Sequence, residues 1–329
     1  MLFLPGENKI SLWFKDLGGT IFRNEFNNYG FELRDRLEEI LLSDKFEEYF
    51  KEILQDMLPS GFEIRYKKTD KQQIAMIPAY GKIYALAGQL AIAKCMNMPI
   101  TFACDLREYA RIIADSARKS NIRCNAVLSD ALNRDEELMN ELKEKGCEFP
   151  FGDICSLTSD YPSEYIYMDE KNSFGVSLYA NTMYFPYDGL IGMLAALYGK
   201  EVRAKLKWKP DCVVVPIREG TEALALFKSF EDECGLDSCE ELVSAEYRLR
   251  GSISTRSSRK EQPNTVLCPE LVSLWRQAKV RRLGCDRMQK VHTEAYRDLN
   301  LNDTTLRALV LSLEENDAQN ILLMEAEDE

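Results

Sequence analysis

The chain has 329 residues, 45% hydrophobic and 29% charged, which excludes disorder along its whole length and allows one large domain or two modest ones. Acidic side chains outnumber basic ones 54 to 42, a net charge of -12, so a general nucleic-acid binder with a basic face is not expected. No run of about 18 apolar residues occurs, and Met1 to Glu7 lacks the charged and apolar regions of a leader, so we expect no membrane span, no signal peptide and a cytoplasmic protein.

Residues 31 to 57 carry apolar side chains at helical spacing, Phe31, Leu33, Leu37, Ile40, Leu41, Phe46, Phe50, Ile53 and Leu54 among them, and predict one long helix. Arg65 to Gln73 reads as a polar connection. Gly81 to Met96 is apolar or small nearly all round and predicts a buried helix. A strand over Pro99 to Ala103, a helix over Arg107 to Lys119 and a strand over Cys124 to Leu128 follow. The helix over Glu136 to Lys145 has Gly146 as its C-terminal cap. Tyr187 to Tyr198 is helical, with Gly199 expected to stop it.

Asp211 to Ile217 is the clearest strand, a continuous apolar run, and Thr221 to Phe230 a helix after it. Val243 to Leu249 predicts a strand, and the Ser/Arg-rich Gly251 to Asn264 a solvated loop. Glu270 to Lys279 and Asp303 to Glu314 are helices, and Asn320 to Met324 a last strand before an acidic tail. Strands that alternate with helices and are apolar throughout predict an α/β fold with mostly parallel sheets. Ligands in such sheets bind beyond the carboxyl ends of the strands. The turns of interest are therefore Ala103 to Tyr109 and Arg218 to Glu222.

Ten cysteines are scattered without a C-x-x-C pair, and His292 is the single histidine, so no metal site is expected. Cys124 and Cys212 sit in apolar runs and read as small buried hydrophobes, and we expect reduced, structural cysteines. One histidine also leaves little room for Ser-His or Cys-His catalysis.

Four stretches, in order, resemble the β subunit of tryptophan synthase. Leu17-Gly-Gly-Thr-Ile-Phe is similar to that family's F-G-G-x-[YF]. Gly81-Lys-Ile-Tyr-Ala-Leu-Ala-Gly-Gln-Leu-Ala-Ile-Ala-Lys resembles its H-K-I-N-N-A-L-G-Q-x-x-L-A-K. The run from Asn121 through Glu136 to Gly146-Cys-Glu resembles its strand, helix and L-G-A-E turn. Pro210-Asp-Cys-Val-Val-Val-Pro-Ile-Arg-Glu-Gly-Thr-Glu-Ala-Leu-Ala-Leu-Phe follows P-D-x-V-V-A-C-V-G-G-G-S-N-A-x-G-x-F without a gap.

The resemblance implies the architecture of fold type II pyridoxal-phosphate enzymes: two three-layer αβα domains with mostly parallel sheets, around one cofactor, in a homodimer. The implied larger domain is 1–80 with 187–329, and the smaller is 81–186, with the Lys82 helix facing the cleft.

The departures bear on chemistry. The family's Schiff-base lysine falls on Lys82, but the histidine before it is Gly81 and the asparagines after it are Tyr84 and Ala85. The phosphate cup G-G-G-S-N falls on Arg218-Glu219-Gly220-Thr221-Glu222. Glycines there would let backbone N–H groups approach a phosphate, and two acids should repel it. Two like charges about 4 Å apart oppose one another by roughly 1–4 kcal/mol. The second glycine loop, E-T-G-A-G-Q-H-G, falls on Ala103-Cys-Asp-Leu-Arg-Glu-Tyr-Ala, so its catalytic glutamate becomes Ala103 or, two positions on, Asp105. The serine that faces the pyridine nitrogen becomes Ala326.

These substitutions predict a protein without pyridoxal phosphate. If the cofactor were bound, Lys82, Gly220 and Thr221 would hold it. The new residues are charged or polar where a collapsed pocket would fill with apolar ones. We therefore expect a cofactor-independent enzyme for a small amino-acid-derived or carbonyl substrate. Lys82, Asp105 and Glu219 would carry the chemistry, and Tyr84, Arg107, Tyr109, Arg218, Thr221 and Glu222 would bind the substrate. A lysine whose stem is buried can serve as nucleophile or base. The alternative is an inactive homologue whose charges plug the site and which serves a protein partner.

Overall fold

The computed structural model describes residues 37–104, 107–128, 130–149, 174–178, 188–217, 222, 225–226, 229, 241–246, 280–283, 293–315 and 318–325. The chain divides into two units, Met1–Gly61 with Lys82–Leu194, and Phe62–Gly81 with Ala195–Glu329. The expected division grouped 1–80 with 187–329 and set 81–186 apart. The described residues 37–61 belong with the Lys82 unit, where Phe50 packs on Tyr84.

That helix, α1 (Asp44–Met57), buries Phe46, Phe50, Ile53 and Leu54. The single long helix expected over 31–57 is interrupted: residues 37–41 are helical, and Ser43 starts a new helix. Its hydroxyl accepts from the Phe46 N–H at 3.1 Å and donates to the Ile40 carbonyl at 2.6 Å, closing one helix and opening the next. The Phe50 ring lies 6.1 Å from that of Tyr84 on α2 (Gly81–Met96). α2 is buried along most of its length, as its all-round apolar sequence predicts.

The sheet of this unit has four parallel strands in the order β5-β4-β3-β6: β3 (Ile100–Cys104), β4 (Cys124–Leu128), β5 (Cys147–Glu148) and β6 (Phe174–Leu178). Helix α3 (Arg107–Lys119) joins β3 to β4 and buries Ala110, Ile113, Ala114 and Ala117. Asn97 and Asn121 end α2 and α3 at left-handed φ values of 54° and 57°. A short helix α4 (Asp130–Asn133) precedes α5 (Glu136–Glu144), which Asp135 caps by accepting from the Leu138 N–H at 3.0 Å. Gly146, at φ 88°, ends it as expected.

The second unit holds a six-stranded sheet in the order β1-β2-β10-β7-β8-β9. β1 (Arg65–Lys68) runs antiparallel to β2 (Gln73–Ile77); β10 (Asn320–Met324), β7 (Cys212–Ile217), β8 (Glu241–Glu246) and β9 (Val280–Leu283) extend the sheet in parallel. The polar connection expected over 65–73 is in part strand β1, an edge whose Arg-Tyr-Lys-Lys sequence leaves three of four residues exposed. β2, β5, β6 and β9 are strands that the sequence reading does not contain, and β8 starts two residues before the expected Val243.

The continuous apolar β7 lies inside the sheet, and β10 inserts between β2 and β7. Ile74, Met76, Val214, Ile321 and Leu323 form one core with Leu309 and Ala308 of α7 (Asp303–Glu315). α6 (Asp188–Lys205) does not stop at Gly199 but runs six residues beyond it. The glycine serves a close approach, described below. The 251–264 loop, His292 and the acidic tail from residue 326 lie outside the described residues.

Candidate functional site

Lys82 occupies the second position of α2 and is only 6% exposed, so the residue expected to carry the amine is held in the interior of its unit. Its Nζ lies 5.8 Å from the centroid of the Tyr109 ring, which the first turn of α3 supplies. A ring face at that distance stabilises a cation. The helix after β3 therefore brings one expected residue, Tyr109, to the expected amine.

In the other unit, Glu222 is 7% exposed and its Oε2 accepts the Gly81 N–H at 2.7 Å. Gly81 is the first residue of α2 and is peptide-bonded to Lys82. Helix N-termini attract anions because their first N–H groups lack partners within the helix. Here the anion is the chain's own side chain. The fit depends on the missing side chain at Gly81: a Cβ there would lie 2.5 Å from Glu222 Oε2 and 3.1 Å from the Ala225 Cβ. The histidine of the resembled family at this position and an acid at 222 cannot both occupy this arrangement.

Glu222 is placed by packing behind it. Ser229, seven residues further on, lies within hydrogen-bond distance of the carbonyls of Ala196 at 2.8 Å and Ala225 at 2.6 Å. Arg203 donates to the Ser229 carbonyl at 2.7 Å. A Cβ on Gly199 would overlap the Ala225 carbonyl and the Ser229 hydroxyl, so α6 approaches this stretch as only glycine permits. The segment that delivers Gly81 is fixed as well. Tyr198 donates to the Pro78 carbonyl, and the rings of Phe62 and Tyr80 lie 5.0 and 6.3 Å from that of Tyr198.

Two residues expected to bind substrate are placed otherwise. Tyr84 is 1% exposed and packs on Phe50, so it is a core aromatic. It lies two positions beyond Lys82, and a helix turns that step away from the face of the amine. Arg107 turns to the start of α5. Its Nη2 meets Glu137 at 2.6 Å and its Nε lies 3.4 Å from Asp135. The hydrogen bond to Glu137 holds the guanidinium above its ordinary range. Asp105, Arg218, Glu219, Gly220 and Thr221 lie outside the described residues.

The sequence marked Gly81 and Glu222 as departures from two different motifs, the lysine motif and the phosphate cup, and did not show that they touch. A lost side chain at one motif position and a gained acid at another are the signal that could have paired them. Among the described residues, no group of three or more His, Cys, Asp or Glu side chains could hold a metal ion. No helix among them is long and apolar enough to cross a membrane.

Of the residues aligned with the phosphate cup, only Glu222 is among the described ones, and its acid opposes a phosphate at that position. In the segment aligned with the phosphate cup, Glu222 is buried, points its acid at the start of the lysine helix and already takes the Gly81 N–H. A phosphate would have to displace that acid or lie against it. We expect Gly81→Ala to lower stability by about 1–3 kcal/mol, because the added methyl drives the Glu222 acid from its N–H. In a Glu222→Ala background the same change should be milder. Additive losses in urea unfolding would show that the two residues are not coupled.

No family model and no curated protein matches the sequence. Solved structures do match the fold. A fungal L-serine ammonia-lyase from Rhizomucor miehei aligns with a TM-score of 0.53 at 10% identity, over 81% of this chain and 93% of that one. Escherichia coli diaminopropionate ammonia lyase, in its apo form, aligns with a TM-score of 0.54 at 12% identity, over 87% and 90%. Serine racemase from Dictyostelium discoideum aligns with a TM-score of 0.52 at 11% identity, over 85% and 97%. The chain has the fold type II architecture, as the sequence resemblance implied. At these identities the likeness establishes the fold alone.

Proposed function

We propose that this protein is a divergent, tryptophan synthase β-like member of that fold which works without pyridoxal phosphate. In this reading the Lys82 amine acts on a small amino-acid-derived or carbonyl substrate. The observation that supports it is the Glu222 acid seated on the Gly81 N–H, next to a lysine that is kept although its cofactor's anchor is replaced. The solved structures of similar fold include two ammonia-lyases and a racemase by name, all acting on small amino acids, which agrees with a substrate of that size.

The chemistry follows from an amine and a ring. The Lys82 nitrogen adds to a substrate carbonyl carbon, the oxygen departs as water with the two amine hydrogens, and a C=N bond remains. Once protonated, that group is a cation, and the Tyr109 face that stands over Nζ stabilises it as it does the ammonium. Burial keeps competing water away from the C=N bond. Asp105 and Glu219 are the proposed proton carriers, with Arg218 and Thr221 as ligands for the substrate's polar groups. A homodimer is part of the proposal.

A second reading, equally compatible with a Glu222 engaged by a backbone N–H, is an inactive homologue that serves another protein. The two part on one variant. If the lysine is catalytic, Lys82→Met abolishes borohydride trapping of a panel of small 2-oxo acids and aldehydes while the melting temperature stays nearly constant. If the charges are a plug, no trapping occurs in the wild type, and Lys82→Met shifts stability by about 1 kcal/mol or more. Trapping that persists in Lys82→Met at another lysine contradicts the assignment.

A further inference from the structure

In the four-stranded sheet, Cys124 of β4 and Cys147 of β5 are direct register partners on neighbouring parallel strands. Both are free thiols, each 5% exposed, and their sulfurs lie 2.9 Å apart. Neighbouring strands are about 4.8 Å apart, within the Cα separation that a disulfide spans. We propose that Cys124 and Cys147 are a redox-modification site, closing to a reversible disulfide that staples β5 to the sheet. The expectation of purely structural cysteines is thereby revised for this pair, independently of the function proposed above.

The two sulfurs differ in role. The contact between the two thiols, in which either sulfur can donate, and the Lys145 ammonium lower the proton affinity of Cys147 against the opposing effects of burial and Asp115. Cys124 is pushed up by the same contact and by burial. Cys147 also lies on the two-residue edge strand, just after Gly146, so fraying of that edge exposes it first. The oxidant is a low-molecular-weight disulfide. The Cys147 thiolate attacks one of its sulfurs and releases one thiolate. Cys124 then attacks the mixed disulfide at Cys147 and releases the second. Two protein thiols are oxidised, the small disulfide is reduced, and the two thiol protons pass to the released thiolates.

The test treats the full-length protein with oxidised glutathione, blocks remaining thiols, and maps digested peptides with and without dithiothreitol. The expected result is a peptide pair joined through Cys124 and Cys147, reversed by dithiothreitol, absent in Cys147→Ser and kept in Cys95→Ser. The oxidised wild type should melt roughly 5 °C or more above the reduced form, because the bridge closes a loop in the unfolded chain. Stable glutathione on Cys147 alone, no reaction at either thiol, or a bridge to other cysteines would overturn the proposal. The wild-type map does not depend on how well the serine variant folds.

Discussion

Tyr84→Ala is expected to lower the unfolding free energy by about 3–5 kcal/mol, the largest effect of any single change considered. The ring is 1% exposed and lies against Phe50, which is itself stacked 5.9 Å from Phe46. Truncation removes the buried ring and leaves a hole between α1 and α2 that the rigid helices cannot close. The urea midpoint should fall with little change in slope. The same variant separates packing from substrate contact. A Tyr84 that lined a binding site would cost little stability when shortened and would change affinity instead. A midpoint within 1 kcal/mol of the wild type would return Tyr84 to the candidate site and remove it from the core.

Gly199→Ala should lower stability by about 3 kcal/mol and disturb the site at a distance. Its Cβ would overlap the Ala225 carbonyl, which is backbone and cannot rotate away, and the Ser229 hydroxyl. Relief requires the stretch that carries Glu222, Ala225 and Ser229 to move off α6. Glu222 would then be drawn from the Gly81 N–H, so exchange of the Gly81 amide should quicken more than that of amides in the four-stranded sheet. An alanine variant as stable as the wild type, with unchanged exchange at Gly81, would show that α6 does not set the position of Glu222. Helix propensity alone predicts a gain from this change, so the sign of the effect is informative.

The same glycine shows why parts of the fold were legible and others were not. Gly199 follows a helical run and reads locally as a stop, and only the close approach of a distant carbonyl reveals it as a contact. The buried helix at Gly81–Met96 and the strand at Cys212–Ile217 were legible because burial on all sides leaves an unbroken apolar record. β1 was not, because an edge strand of exposed Arg and Lys carries the composition of a loop. Ser43 looked like one polar position on a helix face, whereas its hydroxyl splits that helix in two.

At the site, Lys82 and Tyr109 were legible from motif position, and the structure brings them together. Tyr84 and Arg107 were assigned from neighbourhood in sequence. Their directions are set by Phe50 and by the acids at the start of α5, which sequence spacing does not encode. The contact between Gly81 and Glu222 spans 141 positions and is invisible to any local pattern.

In the proposed reading, the acid of Glu222 takes the place of a cofactor's phosphate. The direct measurement is to incubate the purified protein with pyridoxal phosphate, record the visible spectrum, reduce with borohydride and map the label. The prediction is no violet absorption band and no pyridoxyl group on Lys82, in the wild type and in Lys82→Met alike. A stoichiometric band in the wild type, lost in Lys82→Met and fixed on Lys82 by reduction, would contradict it.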